Sequence, residues 1–337
     1  MRSLVTGGAG YVGSHIVREL LRRRIPTVVL DDLSLGHSES IPGVKLIQGD
    51  IGDRALVRKT VQEHRIDLVI HMAARSLVGE SVLQPAAYYE HNIVRGLGLL
   101  EGMRQAGCLR LVFSSTAAVY GEPREVPIGE DHPTRPTNPY GETKLAFESA
   151  LRWYREAYGL NFISLRYFNA AGADPEAGIG EDHDPETHLI PLVLGVASGA
   201  RDLVEIFGDD YPTRDGTCIR DYIHVKDLAE AHVLAAETLR SGSPGGFFNL
   251  GTETGSTVRE ICDLAGEITG RKIPFRMAAR RPGDPAVLIA SRRKAARELS
   301  WVPKSTLREI LESAWRWHQL RPDGFRSGKG SRRIRDR

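Results

Sequence analysis

The first half of the chain alternates short, continuous apolar runs with longer amphipathic stretches. Six runs stand out: Ser3 to Thr6, Thr27 to Leu30, Val44 to Gln48, Leu68 to His71, Leu111 to Ser114 and Phe162 to Arg166. Runs of this kind, rich in Val, Ile and Leu, are what a parallel sheet covered on both faces requires. Between them, Val12 to Arg24, Arg54 to His64, Pro85 to Gln105 and Tyr140 to Ala157 read as helices, each long enough for a right-handed crossover. The pattern predicts an α/β fold of the Rossmann type, a doubly wound parallel sheet.

After Arg166 the rhythm breaks into a stretch rich in Gly, Pro, Asp and His, Asn169 to Pro191, and then into shorter mixed elements. We therefore expect a dinucleotide-binding domain over residues 1–168 and a smaller α/β substrate-binding lobe over residues 169–321. Ile219 to Leu239 reads as strand then helix and Phe247 to Leu250 as another strand, so the segment from about 219 to 250 is expected to return to the first domain. Residues 322–337 are polar and basic without periodicity, which predicts a disordered, solvated tail. There is no internal repeat.

Composition mainly excludes. A chain of 337 residues buries a sizeable core without staples. Hydrophobic content of 41%, charged content of 26% and a formal net charge of +2 point to neither nucleic acid nor a membrane surface as partner. The opening Met1 to Gly8 runs directly into a motif, leaving no room for a signal peptide, and no apolar stretch is long enough to span a bilayer. Cys108, Cys218 and Cys262 are odd in number and far apart, suggesting neither a disulfide framework nor a zinc site, so no metal is expected and a reducing cytoplasm fits.

Candidate chemistry begins at Thr6-Gly7-Gly8-Ala9-Gly10-Tyr11-Val12-Gly13, between the first strand and first helix. There Gly7 and Gly10 let the backbone turn and approach a pyrophosphate, Gly13 lets helix and strand pack closely, and the helix N-terminus offers unpaired N–H groups to the anion. A bare Gly-rich turn would look similar, but Asp31 ends the second strand at about the twenty-residue distance of a carboxylate that binds adenosine ribose hydroxyls. A carboxylate there repels a 2′-phosphate, so NAD is expected rather than NADP. Further on, Tyr140 and Lys144 share a helix face, with Asn138 and Pro139 as cap and first-turn residue. A tyrosine acts as a base near neutrality only if its pKa falls by about three units, or roughly 4 kcal/mol, which the Lys144 ammonium and an oxidised nicotinamide together can supply. The hydroxyls of Ser114 and Thr116 follow a strand end, where ligands of doubly wound sheets bind; Thr116 can bridge substrate and Tyr140, while Ser114 and Ser115 read equally well as turn residues.

These segments, together with Leu165 to Asn169, Ile206 to Thr213, Arg220 to Val225 and Arg280 to Asp284, resemble the UDP-glucose 4-epimerases, which are extended short-chain dehydrogenases/reductases. The resemblance runs from residue 1 to about Gln319. It implies an NAD-dependent isomerase of galactose metabolism that interconverts UDP-galactose and UDP-glucose by transient C4 oxidation. Tyr140, directly or through Thr116, would take the 4-hydroxyl proton while NAD accepts the C4 hydride and later returns it to the opposite face. Tyr11, Val12, Asp31, Asp32, Leu33, Ser34, Leu35, Gly36, Asp50, Ile51, Met72, Ala73, Ala74, Asn92 and Ser114 would line the NAD pocket with Tyr140 and Lys144, and Phe168 would close it. Asn169, His188, Leu189, Phe207, Arg220, Tyr222, Arg281 and Asp284 would hold the UDP-sugar, the arginines pairing with its diphosphate. By the same analogy, the helices near Pro85 to Gln105 and Tyr140 to Ala157 would pair two subunits in a homodimer.

Three departures from the family pattern stand out. Ser76 occupies a place often held by a cofactor-contacting lysine, for which Arg75 is the neighbouring substitute. Thr116 replaces the usual serine, and His188 the usual asparagine. Leu288 aligns with a residue that gates access for a 2-N-acetyl group and is intermediate in bulk, implying some activity on N-acetylated UDP-sugars such as UDP-N-acetylglucosamine. The rival readings are a nucleotide-sugar dehydratase or decarboxylase and a catalytically silent NAD-binding regulator. Ala117-Ala118 stands where a dehydratase needs an Asp-Glu pair, decarboxylases lack the Phe207 to Val225 block, and retention of Tyr140 and Lys144 counts against a silent regulator.

Overall fold

The computed structural model describes residues 1–281 and 284–325. The first part of the chain runs β1 (Ser3–Thr6), α1 (Tyr11–Arg22), β2 (Thr27–Asp31), β3 (Lys45–Gln48), α2 (Arg54–Glu63), β4 (Leu68–His71), α3 (Val78–Leu83), α4 (Pro85–Tyr89), α5 (Arg95–Gln105), β5 (Arg110–Ser114), α6 (Pro139–Tyr158) and β6 (Asn161–Tyr167). Then follow β7 (Asn169–Ala171), α7 (Leu189–Ala197), β8 (Val204–Phe207), β9 (Ile219–Arg220), β10 (Tyr222–His224), α8 (Val225–Arg240), β11 (Gly245–Leu250), β12 (Ser256–Thr257), α9 (Val258–Thr269), β13 (Phe275–Ala278), β14 (Val287–Leu288), α10 (Arg293–Leu299) and α11 (Leu307–Leu320).

All six apolar runs form strands of one seven-stranded sheet, ordered β11-β6-β5-β4-β1-β2-β3. Every pairing in it is parallel. The seventh strand, β11, pairs with β6, and α8 packs beside α1 against the same core, so this late segment completes the first lobe. Strand order reverses between β1 and β4, and at such a switch point the crevice beyond the carboxyl ends is open to a ligand. One face of the sheet is covered by Ile16, Val17 and Leu20 of α1 with Leu228, Val233 and Leu239 of α8. Val57 and Val61 of α2, Leu99 and Met103 of α5, and Phe147 and Leu151 of α6 cover the other. The second lobe has its own core, where α7, α9 and α11 contribute Val193, Leu194, Ile261, Ala265, Ile310 and Leu311.

Two elements differ from the sequence reading. The single helix expected over Pro85 to Gln105 is interrupted by a π-helical turn at Glu90–Val94, which places Asn92 inside the molecule. Residues Pro322 to Phe325, expected to begin a solvated tail, form a turn instead. Phe325 is buried, stacks on His37 with ring centroids 5.0 Å apart and packs on Trp317 at 5.1 Å; its N–H donates to Asp182 Oδ2 at 2.8 Å. One aromatic ring in that basic stretch outweighs its polar neighbours. The rest of the expected tail, 326–337, lies outside the described residues, as do Pro282 and Gly283.

Candidate active site

The Gly-rich loop is shaped by contacts that leave no room for side chains. Gly7 has φ +67°, and a Cβ there would lie 2.5 Å from the Ala73 nitrogen; at Gly13 it would lie 2.1 Å from the Gly7 carbonyl oxygen. The loop after β4 therefore rests directly on the turn after β1, bringing Met72 and Ala73 beside Gly7, with Ala74 next along the loop. At Gly10 the nearest atom to a built Cβ is 3.4 Å away, so this glycine is needed less for internal packing than for access. Gly10 is the N-cap residue of α1 and provides no side-chain cap, leaving the helix's first-turn N–H groups available to an anion. An uncapped helix start behind a cradle that any Cβ would fill fits a dinucleotide pyrophosphate.

Asp31, at the end of β2, is buried and receives the Ala9 N–H on Oδ2 and the Leu33 N–H on Oδ1, both at 2.9 Å. It braces the Gly loop from below while each oxygen keeps a lone pair for a ribose hydroxyl. Burial raises its pKa, with the two backbone hydrogen bonds acting in the opposite direction. Asp32 accepts from Ser34 N–H and Oγ–H, Leu33 turns the chain at φ +59°, and Gly36 packs on Ala9. Val12 and Leu35 flank this bend, Leu35 largely exposed. Asp50 follows β3 and pairs with Arg95 at 2.9 Å beside buried Ile51. Arg95, which lies between Asp50 and Asp32, was not anticipated.

Asn92 has partners other than those expected. Its Oδ1 accepts from Arg75 N–H at 2.9 Å, and its Nδ2 donates to Arg75 O at 3.1 Å and Thr143 Oγ1 at 3.0 Å. Both amide hydrogens are thereby engaged inside the protein, so Asn92 ties the loop after β4 to α6. Arg75, the substitute for the family lysine, pairs with Glu80 at 3.1 Å.

Asn138 caps α6 by accepting from Gly141 N–H at 2.9 Å, and Pro139 fills the first position. Helix geometry then sets Tyr140, Lys144 and Glu148 one above another. The Thr116 hydroxyl sits close enough to the Tyr140 phenol to lower its pKa, and receives Ala118 N–H at 3.1 Å. The Lys144 ammonium donates to Ser114 O at 2.8 Å and lies 5.9 Å from the centre of the Tyr140 ring. Ser114 Oγ in turn meets Tyr167 Oη at 2.5 Å. Burial is the largest influence on Tyr140 and raises its pKa, the Thr116 hydroxyl working against it. Burial also lowers the Lys144 pKa to about 7, with Glu148 opposing. In the polypeptide alone burial thus favours the protonated phenol, and the expected lowering of its pKa calls for the charge of an oxidised nicotinamide together with that of Lys144.

Beneath this pair lies a buried polar network that sequence reasoning missed. Glu148 pairs with Arg166 at 2.6 Å and accepts from Ser115 Oγ and Ser164 Oγ. Arg166 donates to Tyr120 Oη at 2.9 Å, and Tyr120 donates to Asn249 Oδ1 at 2.6 Å. The available signal was Glu148, four residues after Lys144 on the same helix face; its partners lie on β6 and the turn after β5, and the network's far end on β11, which only the fold joins.

Facing this pair from the second lobe, Asn169 donates to Asp221 O at 3.0 Å. Phe168 packs with Leu145 and Leu288 against Val119 and Tyr120. The Arg281 guanidinium lies 3.9 Å from the centre of the Phe207 ring. Arg220 forms an ion pair with Asp284 and donates to Ile219 O and Pro285 O. Those three partners, rather than open solvent, orient its guanidinium edge. Tyr222 departs from its expected substrate-facing place and is buried in the second-lobe core with Ile206 and Cys262. His188, the N-cap residue of α7 preceding Leu189, lies 2.9 Å from both Glu181 and Glu186. Burial opposes charge on this imidazole, but hydrogen bonds to the two carboxylates outweigh it and push its pKa up to about 10.

Residues 3–251 match the NAD dependent epimerase/dehydratase family. A UDP-glucose 4-epimerase of Halalkalibacterium halodurans is 55% identical over 326 residues, covering 96% of this chain and 98% of the relative. The crystal structure of UDP-glucose 4-epimerase from Brucella ovis in complex with NAD superposes with a TM-score of 0.91 at 46% identity, covering 93% of this chain and 97% of that one. That of the Bifidobacterium longum UDP-glucose 4-epimerase with NAD+ and UDP gives 0.90 at 39% identity, covering 96% and 100%.

Proposed function

Because the chain belongs to the NAD dependent epimerase/dehydratase family, we propose that it interconverts UDP-galactose and UDP-glucose as an NAD-dependent UDP-sugar 4-epimerase. The observation that carries this reading is the meeting of Tyr140, Lys144 and Thr116 at the carboxyl end of β5, beside an uncapped α1 behind a glycine cradle. Gly7, Gly10, Gly13 and Asp31 would hold NAD, which when bound supplies the reversible acceptor for the C4 hydride. Tyr140 exchanges the 4-hydroxyl proton, and the neighbouring Thr116 hydroxyl aligns that transfer. Lys144, fixed to Ser114 O beneath the phenol, would share with bound NAD the charge that lowers the phenol's pKa. Arg220 and Arg281, both placed by second-lobe partners, grip the diphosphate. Anchoring the nucleotide rather than the hexose leaves the sugar free to turn over within its pocket. Ala117 and Ala118 follow Thr116 as a short 3-10 turn and carry no proton, against dehydration.

Leu288 packs, as Phe168 does, against the cluster of Ala117, Val119, Tyr120 and Ile128, and its intermediate bulk favours UDP-glucose and UDP-galactose with lesser turnover of N-acetylated sugars. Among the described residues no helix is long and apolar enough to cross a membrane, and all three cysteines are free and buried, which suits a reducing cytoplasm. Val82, Leu83, Tyr89, Trp153 and Tyr158 are exposed on α3, α4 and α6, and an apolar surface of this kind supports a homodimer through these helices.

The test is incubation of the pure protein with UDP-galactose in heavy water without added NAD, followed by NMR. UDP-glucose without deuterium at C4 is the expected product. A 4-keto-6-deoxy sugar carrying solvent deuterium would make the enzyme a dehydratase, and no turnover would leave the regulator reading.

A further inference from the structure

Between β7 and α7 the chain places Glu181, His183, Glu186 and His188 so that one ligand atom from each lies within 4.8 Å of every other. Nδ1 of His188 is 2.9 Å from Glu181 Oε1 and 2.9 Å from Glu186 Oε1; Nδ1 of His183 is 3.1 Å from Glu181 Oε1 and 3.7 Å from Glu186 Oε2. Ligands at about 2.0–2.1 Å from a tetrahedral zinc ion lie roughly 3.3 Å apart, so the four carboxylate–imidazole contacts would shift by a few tenths of an ångström and the widest separation would close by up to about 1.5 Å to take an ion among these atoms. We propose that Glu181, His183, Glu186 and His188 form a binding site for a divalent cation of the zinc type, closed by four protein ligands.

The donor set selects the ion. Two imidazoles disfavour calcium and magnesium, which take oxygen ligands, and favour zinc and its neighbours. Two carboxylates balance a double charge. The groups that orient the ligands are also present. Glu186 Oε1 receives Thr187 and His188 N–H, each at 2.8 Å, and the Glu181 carbonyl receives the Trp317 indole N–H at 3.2 Å. Such outer partners fix the ligands of protein metal sites. Glu181 is buried and the ring of His183 lies edge-on to Tyr11 at 6.1 Å, so the cluster sits where the second lobe meets the nucleotide loop. With four protein ligands and no open position, the ion's role is structural: it pins the turn of residues 181–188 upon itself, with the His183 ring beside Tyr11. Coordination through Nδ1 leaves Nε2–H of His188 free to donate.

The test uses the full-length protein with any affinity tag removed, dialysed against a chelator and titrated with zinc chloride by calorimetry, without nucleotide sugar. One ion per chain and a rise in Tm on addition are expected. Cobalt substitution should produce the d–d absorption of a four-coordinate nitrogen and oxygen site. His183→Gln should weaken binding by at least roughly tenfold, the loss that follows even from removing an outer partner. Glu181→Gln should do the same, and circular dichroism of the metal-free variants reports their folding. Absence of a saturable single site in the wild-type chain would overturn the proposal and leave the cluster a set of ion pairs. Unchanged affinity in both variants would overturn it equally, and because the cobalt spectrum is read on the wild-type protein, a variant that fails to fold leaves it decisive.

Discussion

The nucleotide loop and the second-lobe face of the cleft are held by different kinds of force. Around Gly7 and Gly13 the constraint is steric, backbone against backbone, and Asp31 reinforces it through main-chain N–H groups. Across the cleft, Arg220 with Asp284, Arg281 with Phe207 and the Glu181 to His188 cluster depend on side chains from separate segments meeting. A backbone cradle tolerates no added atom yet is indifferent to charge. Side-chain pairs tolerate changes of size but not of charge or geometry. Between the two stands α6, whose Tyr140 and Lys144 face the cleft while Glu148 is anchored in the core.

The largest expected effect is on α6. Tyr140→Phe should lower kcat by about 10²- to 10⁴-fold, the usual contribution of a positioned acid–base group, with UDP binding measured by calorimetry intact. Retained turnover would remove Tyr140 from its role. Glu148→Leu strands the Arg166 charge in the interior and should cost about 3–5 kcal/mol, read by urea unfolding; the double variant Glu148→Leu with Arg166→Met should recover much of it. If the single variant costs nothing, the network is ornamental.

Lys144 gives a test in pH. Its folded pKa of about 7 lies below the ordinary 10.5, so between these values the unfolded chain holds a proton that the folded chain has released. Stability therefore rises with pH through that window, and the cost of burying the charge is fully present only below about pH 7. Lys144→Met should gain in Tm over wild type most near pH 6, the gap closing toward about pH 10; a gap that widens with pH would contradict the burial argument.

Gly13→Ala gains helix propensity but sets a methyl group against the Gly7 carbonyl. We expect a net loss of about 1–3 kcal/mol, with NAD retention on gel filtration lost alongside. Arg281→Lys is the mildest change: the stacking on Phe207 weakens by about 1 kcal/mol, which should raise KM for UDP-galactose roughly fivefold with kcat unchanged.

Local order explains which features the sequence disclosed. Strand runs, the glycine spacing and the Tyr140 to Lys144 interval each involve residues within a few positions of one another, governed by periodicities that any reader of the chain can count. Asn92, Tyr222 and Phe325 show the limit. Nothing in their neighbourhoods marks the first as a brace between a loop and α6, the second as core, or the third as an anchor on His37. Their partners are residues such as Thr143, Cys262 and Trp317, reached only after the chain has folded.

The sequence by itself determined the doubly wound sheet, the glycine cradle and the phenol–ammonium pair, because helix and strand periods and turn sterics act over short stretches of chain. Tertiary structure alone decided that Glu148 would meet Arg166, and that two histidines and two glutamates would converge before α7. Buried charges find partners through space, and proximity in space is a property of the packed whole.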